Sequence, residues 1–454
     1  MGPERKHLIL FTRYPLPGRV KTRLIPALGP EGAESLHRRL VLRTLRTAHK
    51  ACRAVGADLE IRFDGRNDDA MRHWLGECGT FTAQGTGDLG ERMANAFEES
   101  FRPGSTATII VGSDCPGLTP ELITAAFERL SDTPVVLGPA NDGGYYLIGL
   151  TSPVPELFRG IAWGTETVLA DSLRVLERKG LKPFLLMPLD DLDRPEELPE
   201  WYRITEAEDG DLSRVSVIIP TLNEERQILA TLDSVHQHQP REVIVVDGGS
   251  TDATVRLASQ RSARVINSKP GRAGQMNAGA AMADGQVLLF LHADTRLPPK
   301  WLSVVLDALR RPEVAAGSFR FSISGAFPGK SFVEWTTGLR SKWLQRPYGD
   351  QGLFLKCSLF EELGGFADLP IMEDYEFVRR LRRRGRIITA AEPAVTSARR
   401  WQRLGVFRTT LLNQLVVAGY HLGVHPQKLA ALYQRALFTA AGGERRQQDR
   451  LQER

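Results

Sequence analysis

Two aspartates follow apolar runs in closely similar local sequences. The segments IIVGSDCPGLTP and LLFLHADTRLPP each lead an apolar run into an aspartate, Asp114 and Asp294, and then reach Leu and Pro. In open α/β sheets the carboxyl end of a strand is where ligands bind. A carboxylate there can hold a divalent cation against a diphosphate, because hard cations prefer oxygen ligands. The alternative is that each aspartate only caps the next helix, but the repeated context favours contact with a metal or a nucleotide.

Polar turns follow two further apolar runs in the second half of the chain. In VVDGGSTDAT (residues 245–254), Asp247 can accept hydrogen bonds from a base or a ribose, whereas Asp252 is expected to cap the next helix. The glycines of this turn let the backbone approach a ligand closely. The segment GRAGQMNAGA (residues 271–280) adds small residues and places Arg272 beside the expected phosphates.

The first half carries a basic loop after its first apolar run. FTRYPLPGRVKTRL (residues 11–24) is bent by Pro and Gly and contains four cations: Arg13, Arg19, Lys21 and Arg23. A loop of glycine and cations at a strand end suits the phosphates of a nucleotide, although it lacks the spacing of a P-loop. Asp114, Asp142 and Asp193 follow later strands, where they could gather around a cation. Helix capping is the alternative role for such loop acids.

The elements that must position these residues alternate along the chain. Short β-branched runs alternate with helix-period segments, which is the pattern of parallel strands covered by helices. With 454 residues, 42% apolar and 25% charged, the chain is expected to fold as two domains. A polar, acidic segment places the boundary near Asp209 to Leu212, so the predicted domains are residues 1–209 and 213–441. Residues 442–454 are predicted to form a polar tail.

Composition limits the other classes of function. The net charge of +5 comes without an aromatic-interleaved basic motif, so we expect no nucleic-acid partner. The four cysteines show no C-x-x-C spacing, and the N-terminus lacks the features of a signal peptide, so a cytoplasmic protein is expected. No apolar run reaches the length of a membrane span. The basic and apolar stretch at 401–424 is compatible with a helix packed on its own domain or with peripheral contact at a membrane surface.

The series of motifs in the second half resembles the family 2 glycosyltransferases, which have the GT-A fold. The resemblance spans roughly residues 215–401 and rests on the segments SVIIPTLNEE, VVDGGSTDAT, HADT, YGDQGLF, GGF and MEDYEF. It implies four groups of site residues. The nucleotide-sugar contacts fall on Pro220, Thr221, Glu224 and Asp247; the metal-binding D-x-D falls on His292 to Asp294; the acceptor loop falls on Asp350 and Gln351 and the catalytic pair on Glu373 and Asp374.

The mechanism that this resemblance implies is a single displacement with inversion. Asp374 would act as general base on an acceptor hydroxyl, and a divalent metal, Mn or Mg, held through Asp294 would stabilise the leaving diphosphate. His292 replaces the first D-x-D carboxylate, so it is either an imidazole ligand or a packed strand-end histidine. The family motif Q-x-x-R-W is present only as SARRW, which argues against a processive polysaccharide synthase. For Glu373 and Asp374 the alternative role is that of acids at a solvated helix N-terminus.

The first half resembles the DUF2064-type GT-A-like proteins, which are related to nucleotidyltransferases. The resemblance covers nearly all of residues 8–198 and rests on VGSDCPGL and DGGYYLIGL. Together the halves are similar to the pair of glycosyltransferases of arsenosugar biosynthesis. The implied fold is therefore two tandem GT-A-like α/β domains with mostly parallel sheets.

Three functions follow from these resemblances. The chain is expected to transfer a sugar from a nucleoside-diphosphate donor to a small or lipid acceptor, with the first domain binding a nucleotide sugar or acting as a nucleotidyltransferase. In a second hypothesis only the second domain is catalytic and the first is regulatory or mediates oligomerisation. In a third, the chain binds nucleotides without catalysis. The sugar, the base, the acceptor and the oligomeric state are not fixed by the sequence.

Overall fold

The computed structural model of the chain describes residues 5–209 and 214–433. It divides into two compact units, Met1–Gly210 and Asp211–Arg454. The predicted polar tail, residues 442–454, lies outside the described residues. Of the described helices, none combines the length and the apolar character needed to cross a membrane.

The first unit is a single mixed sheet flanked by helices. Its strands are β1 (Arg5–Arg13), β2 (Ala57–Asp64), β3 (Thr80–Ala83), β4 (Ser105–Val111), β5 (Val135–Pro139), β6 (Tyr145–Leu150) and β7 (Pro183–Leu185). Its helices are α1 (Ile25–Val55), α2 (Asp68–Leu75), α3 (Leu89–Ser100), α4 (Pro120–Arg129), α5 (Val168–Arg178) and α6 (Leu198–Asp209). The spatial order of the strands is β3-β2-β1-β4-β6-β5-β7. Only β6 runs antiparallel to its neighbours in this sheet of the described residues.

The second unit has the same organisation with one more strand. Its strands are β8 (Val215–Thr221), β9 (Glu242–Asp247), β10 (Arg264–Asn267), β11 (Val287–Phe290), β12 (Thr295–Arg296), β13 (Val314–Ile323), β14 (Leu353–Lys356) and β15 (Arg386–Thr396). Its helices are α7 (Ile228–Val235), α8 (Thr254–Ser259), α9 (Arg272–Ala281), α10 (Trp301–Leu309), α11 (Lys330–Trp343), α12 (Cys357–Glu362), α13 (Glu373–Leu381), α14 (Arg399–Leu404) and α15 (Val406–His421). Residues 426–433 are also helical. The strand order is β10-β9-β8-β11-β14-β13-β15-β12.

These two mostly parallel mixed sheets with covering helices confirm the predicted tandem GT-A-like α/β architecture. The central strands form because their residues are apolar on both faces, as expected where helices cover both sides of a sheet. In β8, for example, Val217, Ile218 and Ile219 are all fully buried. The fully buried Trp301 of α10 packs in the same core and donates its indole N–H to the carbonyl oxygen of Val235 at 3.1 Å.

Gly317 in β13 tests how tightly this core is packed. A Cβ at position 317 would lie 2.3 Å from Cζ of Phe354 in β14, so the ring or the strand would have to move. We expect Gly317→Ala to lower the free energy of unfolding by about 1–3 kcal/mol, the usual cost of overpacking a core. Urea-induced unfolding followed by circular dichroism measures this change.

Gly338 in α11 provides the matched control. No heavy atom lies within 4 Å of a Cβ built there. Since Ala is a better helix former than Gly, Gly338→Ala should be neutral or more stable by up to about 1 kcal/mol. If both substitutions left stability equal to that of the wild type, the close contact at Gly317 would be wrong.

Candidate functional site

Asp247, the last residue of β9, presents one oriented carboxylate oxygen. The residue is 4% exposed, and its Oδ2 accepts hydrogen bonds from the backbone N–H groups of Gly249 and Ser250, both at 2.9 Å. Its Oδ1 is buried, and no donor among the described residues hydrogen-bonds to it. Buried polar atoms normally have partners. Oδ1 is therefore held in position to accept a hydrogen bond from a ligand.

Gln275 in α9 fixes the strand ends around Asp247. Its Nε2 donates to the carbonyl oxygens of Thr221 and Val246, at 2.9 and 2.8 Å, and the residue is 5% exposed. The carbonyl oxygen of Thr221 also accepts from the N–H of Gly248. The predicted nucleotide contacts Pro220 and Thr221 thus end a strand that is tied to its neighbour. Sequence reasoning missed Gln275, whose one signal is a long polar side chain among the small residues of GRAGQMNAGA.

The guanidinium of Arg399 joins two predicted site residues. Its Nη2 donates to Oε2 of Glu224 at 2.7 Å and to Oδ2 of Asp294 at 3.2 Å. Burial raises the pKa of the Glu224 carboxyl, and the ion pair with Arg399 opposes that rise. The backbone N–H of Ser397 donates to the carbonyl oxygen of Asp294, which holds the end of β15 beside the Asp294 loop. Sequence reasoning assigned no site role to Arg399, although it lies within SARRW.

Arg272, the first residue of α9, pairs with the predicted catalytic residues. Its Nη1 lies 3.2 Å from Oε1 of Glu373, which is 3% exposed. Burial raises the pKa of the Glu373 carboxyl, and Arg272 opposes the rise. Burial acts to lower the pKa of Arg272, but the carboxylates of Glu373, Asp374 and Asp294 raise it. One guanidinium is therefore within electrostatic reach of both the predicted catalytic pair and the predicted metal ligand.

Asp374 contacts the predicted acceptor loop. Its Oδ2 accepts the backbone N–H of Gly349 at 2.8 Å. A Cβ built on Gly349 would lie 2.7 Å from Nε2 of His292 and 3.5 Å from Oδ2 of Asp374, so the loop can pass here only as glycine. Met372, which precedes α13, has a φ of 70°, a left-handed conformation that side-chain-bearing residues seldom adopt. The imidazole of His292 and the carboxylate of Asp374 thus face one backbone segment.

Gln351 in the acceptor loop is bonded to the protein itself. It is fully buried; its Nε2 donates to the carbonyl oxygen of Phe319 at 3.0 Å and its Oε1 accepts from the N–H of Tyr348 at 3.2 Å. The side chain therefore fastens the loop to β13. The neighbouring Asp350 is half-buried. Ligand contact by either residue stays a prediction, and in this arrangement the amide of Gln351 serves the loop.

The predicted residues of the second unit gather at the N-terminus of α9. Arg272 is close to Asp294, Glu373 and Asp374, as described above. Asp247 lies at the same edge, because the N–H of Ser268 donates to its carbonyl oxygen at 2.8 Å and residues 268–271 lead directly into α9. The base-side, phosphate-side and acceptor-side predictions thus fall around one helix end.

The fit of this edge to a divalent cation can be judged from its oxygens. Within residues 5–209 and 214–433, no group of three or more His, Cys, Asp and Glu side chains is arranged to hold a metal ion. Glu224 and Asp294 nevertheless direct two carboxylate oxygens at a single cationic nitrogen of Arg399. Mg²⁺ is commonly held by one or two carboxylates together with substrate phosphates. The two residues therefore fit a cation whose other ligands come from a diphosphate.

The first unit has a cavity of about 570 Å³ at the carboxyl ends of β1 and β4. It contains both cations and carboxylates in its lining: Arg13, Lys21, Arg23, Arg92, Asp114, Asp142, Asp191 and Asp193. The imidazole of His37, another lining residue, lies 3.0 Å from the carbonyl oxygen of Arg13. This mixture suits a phosphorylated ligand, because cations contact phosphate oxygens while carboxylates contact a bound cation or hydroxyl groups.

Lys21 joins the two predicted metal ligands of this unit. Its Nζ lies 2.6 Å from Oδ1 of Asp114 and 2.8 Å from Oδ1 of Asp193, and it donates to the carbonyl oxygen of Leu192. Burial acts to lower the pKa of Lys21, but the two carboxylates raise it. Arg23 lies 3.6 Å from the other oxygen of Asp193. Metal binding by Asp114 and Asp193 stays a prediction, and Lys21 is the cation that the structure places between them.

Asp191 is a cavity residue that sequence reasoning did not select. Burial, followed by the nearby carboxylates of Asp142, Asp193 and Glu197, raises the pKa of Asp191 to about 6. Its signal in the sequence was the acidic run DDLDRPEEL, in which one aspartate cannot be distinguished from the next. A carboxylate with such a pKa changes charge near neutral pH, and a bound cation would favour its ionised form.

Family models match both units. The model described as "Uncharacterized protein conserved in bacteria (DUF2064)" matches residues 47–165, and the model described as "Glycosyl transferase family 2" matches residues 216–366. The protein is therefore a tandem of two α/β domains, of which the second matches a glycosyltransferase family model. The second unit is thus similar to the family 2 glycosyltransferases over residues 216–366, and the first unit is similar to DUF2064 over residues 47–165. Both family resemblances predicted from the sequence are confirmed.

Curated relatives match parts of the chain. The undecaprenyl-phosphate 4-deoxy-4-formamido-L-arabinose transferase of Proteus mirabilis (strain HI4320) is 27% identical over 159 residues, which is 32% of this chain and 49% of that protein. The "Probable glycosyltransferase YdaM" of Bacillus subtilis (strain 168) is 28% identical over 227 residues, 44% of this chain and 53% of that protein. The chain thus spans about half the length of these two relatives.

Two solved structures show partial likeness. A protein described as "putative nucleotide-diphospho-sugar transferase", from Desulfovibrio desulfuricans G20, has 35% sequence identity with a TM-score of 0.42, covering 45% of this chain and 88% of that one. Glucosyl-3-phosphoglycerate synthase from Mycobacterium tuberculosis, described in complex with Mn²⁺, uridine diphosphate and glucosyl-3-phosphoglycerate, has 20% identity with a TM-score of 0.31. That likeness covers 42% of this chain and 74% of the synthase.

Asp191 generates a prediction about pH. Its folded-state pKa of about 6 lies above the value of about 3.9 expected for an unfolded chain. Folding therefore disfavours the ionised form, so this carboxylate costs stability above about pH 6 and costs nothing below about pH 4. We expect Asp191→Asn to gain stability relative to the wild type as the pH rises through this range. Thermal unfolding of both proteins at a series of pH values measures the difference.

The exposed Asp132 of the same unit supplies the control, as Asp132→Asn. A stability difference between D191N and wild type that stayed constant across the pH range would show that the carboxyl of Asp191 is not perturbed by folding.

Proposed function

We propose that the second unit transfers a sugar, with inversion, from a nucleoside-diphosphate donor to a hydroxyl group of a small or lipid acceptor. The observation that carries this proposal is the buried Oδ1 of Asp247, which accepts no hydrogen bond from the described residues. Leaving such an oxygen without a donor costs free energy. The hydrogen-bond donor would be supplied either by an N–H group of a nucleobase or by a hydroxyl group of a ribose. Nucleotide binding at this edge of the sheet would therefore be favourable.

The phosphates of the donor would lie between the base end at Asp247 and the catalytic pair. Arg272 stands at that end of α9, where the helix dipole also favours negative charge. Asp294 and Glu224 would hold Mn²⁺ or Mg²⁺ together with the diphosphate, since two of their oxygens already converge on the Arg399 guanidinium. When bound, the cation would supply Lewis-acid stabilisation of the leaving group. Arg399 then contacts the two carboxylates only while no cation holds them.

Asp374 is the proposed general base. It is half-buried at the start of α13, and the N–H of Gly349 orients its Oδ2. An ionised carboxylate in this position can accept the proton of an acceptor hydroxyl as that oxygen attacks the anomeric carbon. Attack from the side opposite the departing diphosphate inverts the configuration. Glu373 is the proposed positioning residue, because its ion pair with Arg272 fixes the start of α13 against α9.

The acceptor remains either small or lipid-borne in this proposal. The name of the Proteus mirabilis relative contains undecaprenyl phosphate. That name describes the relative, and for this chain it supports an acceptor that includes a lipid-borne group.

The first unit is proposed to bind a nucleotide or a nucleotide sugar in the cavity beside Lys21. The mixture of cations and carboxylates in that cavity supports this, and a nucleotidyltransferase-like activity would use the same groups. A unit that serves only regulation would bind the nucleotide without turning it over. Incubating the chain with a nucleoside triphosphate and a sugar phosphate, and measuring pyrophosphate release, distinguishes the two.

If Asp374 is the general base, its substitution should lower turnover without weakening donor binding. Asp374→Asn keeps the size, and its amide oxygen can still accept the N–H of Gly349, although the hydrogen bond from the N–H of Tyr375 is lost. Because the proton acceptor is removed, transfer should fall by about 10²–10⁴-fold. The dissociation constant of the donor should change by less than about threefold. Product formation and donor titration on the same preparations measure the two effects. Asp307→Asn, on the exposed outer side of α10, is the matched control; equal loss of binding and turnover in D374N would indicate a structural role instead.

If Asp247 binds the nucleotide of the sugar donor, Asp247→Asn should instead weaken binding of that nucleotide sugar. An amide can place its NH₂ where Oδ1 now lies, which would turn the acceptor into a donor facing the N–H or O–H of the ligand. Donor affinity should fall by about 10–100-fold, since one buried hydrogen bond is lost and one repulsive contact is gained. The measurement is thermal stabilisation by a panel of nucleoside-diphosphate sugars, with Mn²⁺ and with a chelator. If no nucleotide in the panel stabilised the wild type, the proposed function would be wrong.

A further inference from the structure

Helix α11 exposes a row of large apolar side chains. Phe332, Trp335, Leu339 and Trp343 follow one another at intervals of three, four and four residues, which places them on one face of the helix. All four are exposed, Trp343 to 77%. Two exposed tryptophans and a phenylalanine in one row are unusual on a protein surface that faces only water.

Helix α15 exposes a second row. Phe407, Leu411 and Leu415 are spaced by four residues, and Leu422 continues the row just beyond the end of the helix. All four are exposed, Phe407 to 91%. The opposite side of this helix is used for packing, because Val416 is buried in a cluster with Met372 and Tyr375. The helix therefore has an inner side bound to the protein and an outer apolar row.

The two rows belong to adjoining helices. A Cβ built on Gly329, at the start of α11, would lie 3.2 Å from Cγ2 of Val406, the first residue of α15. Val333 of α11 and Val406 pack in one cluster with Phe321. We name the eight exposed side chains of the two rows the apolar two-helix face.

The charges around this face have one dominant sign. Residues 328–346 and 405–433 together contain six Lys or Arg and a single acid. The six are Lys330, Arg340, Lys342, Arg346, Arg408 and Lys428. The acid, Glu334, is half-buried and accepts hydrogen bonds from Ser322 and Ile323. An apolar face with basic surroundings complements a surface that is apolar inside and negative outside.

We infer that the apolar two-helix face docks on the surface of an anionic lipid bilayer. Tryptophan and phenylalanine side chains favour the boundary between head groups and acyl chains, and lysine and arginine favour the phosphates above it. A second copy of this face is a poorer match, because its basic residues would repel their counterparts. From the sequence, residues 401–424 were compatible either with packing on their own domain or with membrane contact; this inference takes the second alternative and adds α11, which sequence reasoning did not include.

Helices α11 and α15 both contact the proposed acceptor side of the site. Tyr375, which follows the proposed base, has its hydroxyl 2.6 Å from Nε2 of His421 in α15. Arg340 of α11 lies over the ring of Tyr348, with 3.3 Å from Cζ to the ring centroid. Docking therefore brings the acceptor loop and Asp374 close to the lipid surface. That last consequence, an acceptor presented by the membrane, rests on the proposed function, whereas docking itself does not.

Vesicle sedimentation with the full chain tests the inference. The vesicles contain either equal parts of phosphatidylglycerol and phosphatidylcholine or phosphatidylcholine alone. We expect the wild type to sediment with the anionic vesicles and much less with neutral ones or at high salt. Each double variant, Trp335→Ser with Trp343→Ser and Phe407→Ser with Leu411→Ser, should weaken partitioning by about tenfold or more. Leu185→Ser with Met187→Ser, two exposed apolar residues of the first unit, is the matched control.

Further variants keep the result interpretable. Lys342→Glu with Arg408→Glu leaves the apolar rows intact and should weaken binding to anionic vesicles only, so it serves even if a serine variant fails to fold. D374N should bind vesicles as the wild type does, which separates docking from transfer.

The inference is overturned if the wild type stays in the supernatant, or if the serine variants bind as the wild type does. It is also overturned if the face instead mediates dimers that those variants dissolve, or if vesicle binding appears only after removal of residues 434–454.

Discussion

The parallel pairing of β8 with its neighbours is the constraint on which the second unit depends. Thr221 is paired with Asp247, and Ile218 with Phe290, so β8, β9 and β11 end at one edge of the sheet. Gln275 joins two of these strand ends, because its Nε2 donates to the carbonyl oxygens of Thr221 and Val246. The backbone there is fixed on both sides, so the Asp247 carboxylate can be buried while its Oδ1 has no hydrogen-bond donor among the described residues. A flexible loop would instead move until that oxygen met a donor or water.

The same edge gathers carboxylates, and their mutual repulsion has to be offset. Arg272 and Arg399 do so in the second unit, one beside the Glu373–Asp374 pair and one between Glu224 and Asp294. Lys21 has the corresponding position in the first unit, between Asp114 and Asp193. Each unit therefore has a cationic side chain at the place proposed for a bound metal cation. A metal–diphosphate ligand would have to displace these side-chain cations. The guanidinium of Arg399 is half-exposed and should be displaced more easily than the ammonium of Lys21, whose side chain is 3% exposed.

Features set by residues close together in the sequence could be predicted, and features set by residues far apart in the sequence could not. The central strands and the site aspartates that follow them were predicted because each is a local pattern of apolar run and polar turn. Arg399 was missed because its partner Glu224 lies 175 residues away. Strands β3 and β12, of four and two residues, are too short for any periodicity to be read. The motif gives the residue type and spacing at Gln351 but not the direction of a buried amide, so its hydrogen bonds to Phe319 and Tyr348 could not be predicted.

The two sides of the proposed site in the second unit are built differently, and this bears on which specificity can vary. The proposed nucleobase side consists of strand ends in register, where a change of one side chain would disturb the sheet. The proposed acceptor side consists of the 3-10 turn Gly349–Gln351, the left-handed Met372 and helices α11 and α15. These two helices contact the rest of the unit through apolar clusters and a few aromatic rings. Surface turns tolerate substitution well, and an exposed side chain on a helix can change without disturbing the backbone hydrogen bonds of that helix. Under the proposed function, a change of acceptor is therefore accessible through the turn and these helices without a change at the proposed nucleotide end of the site.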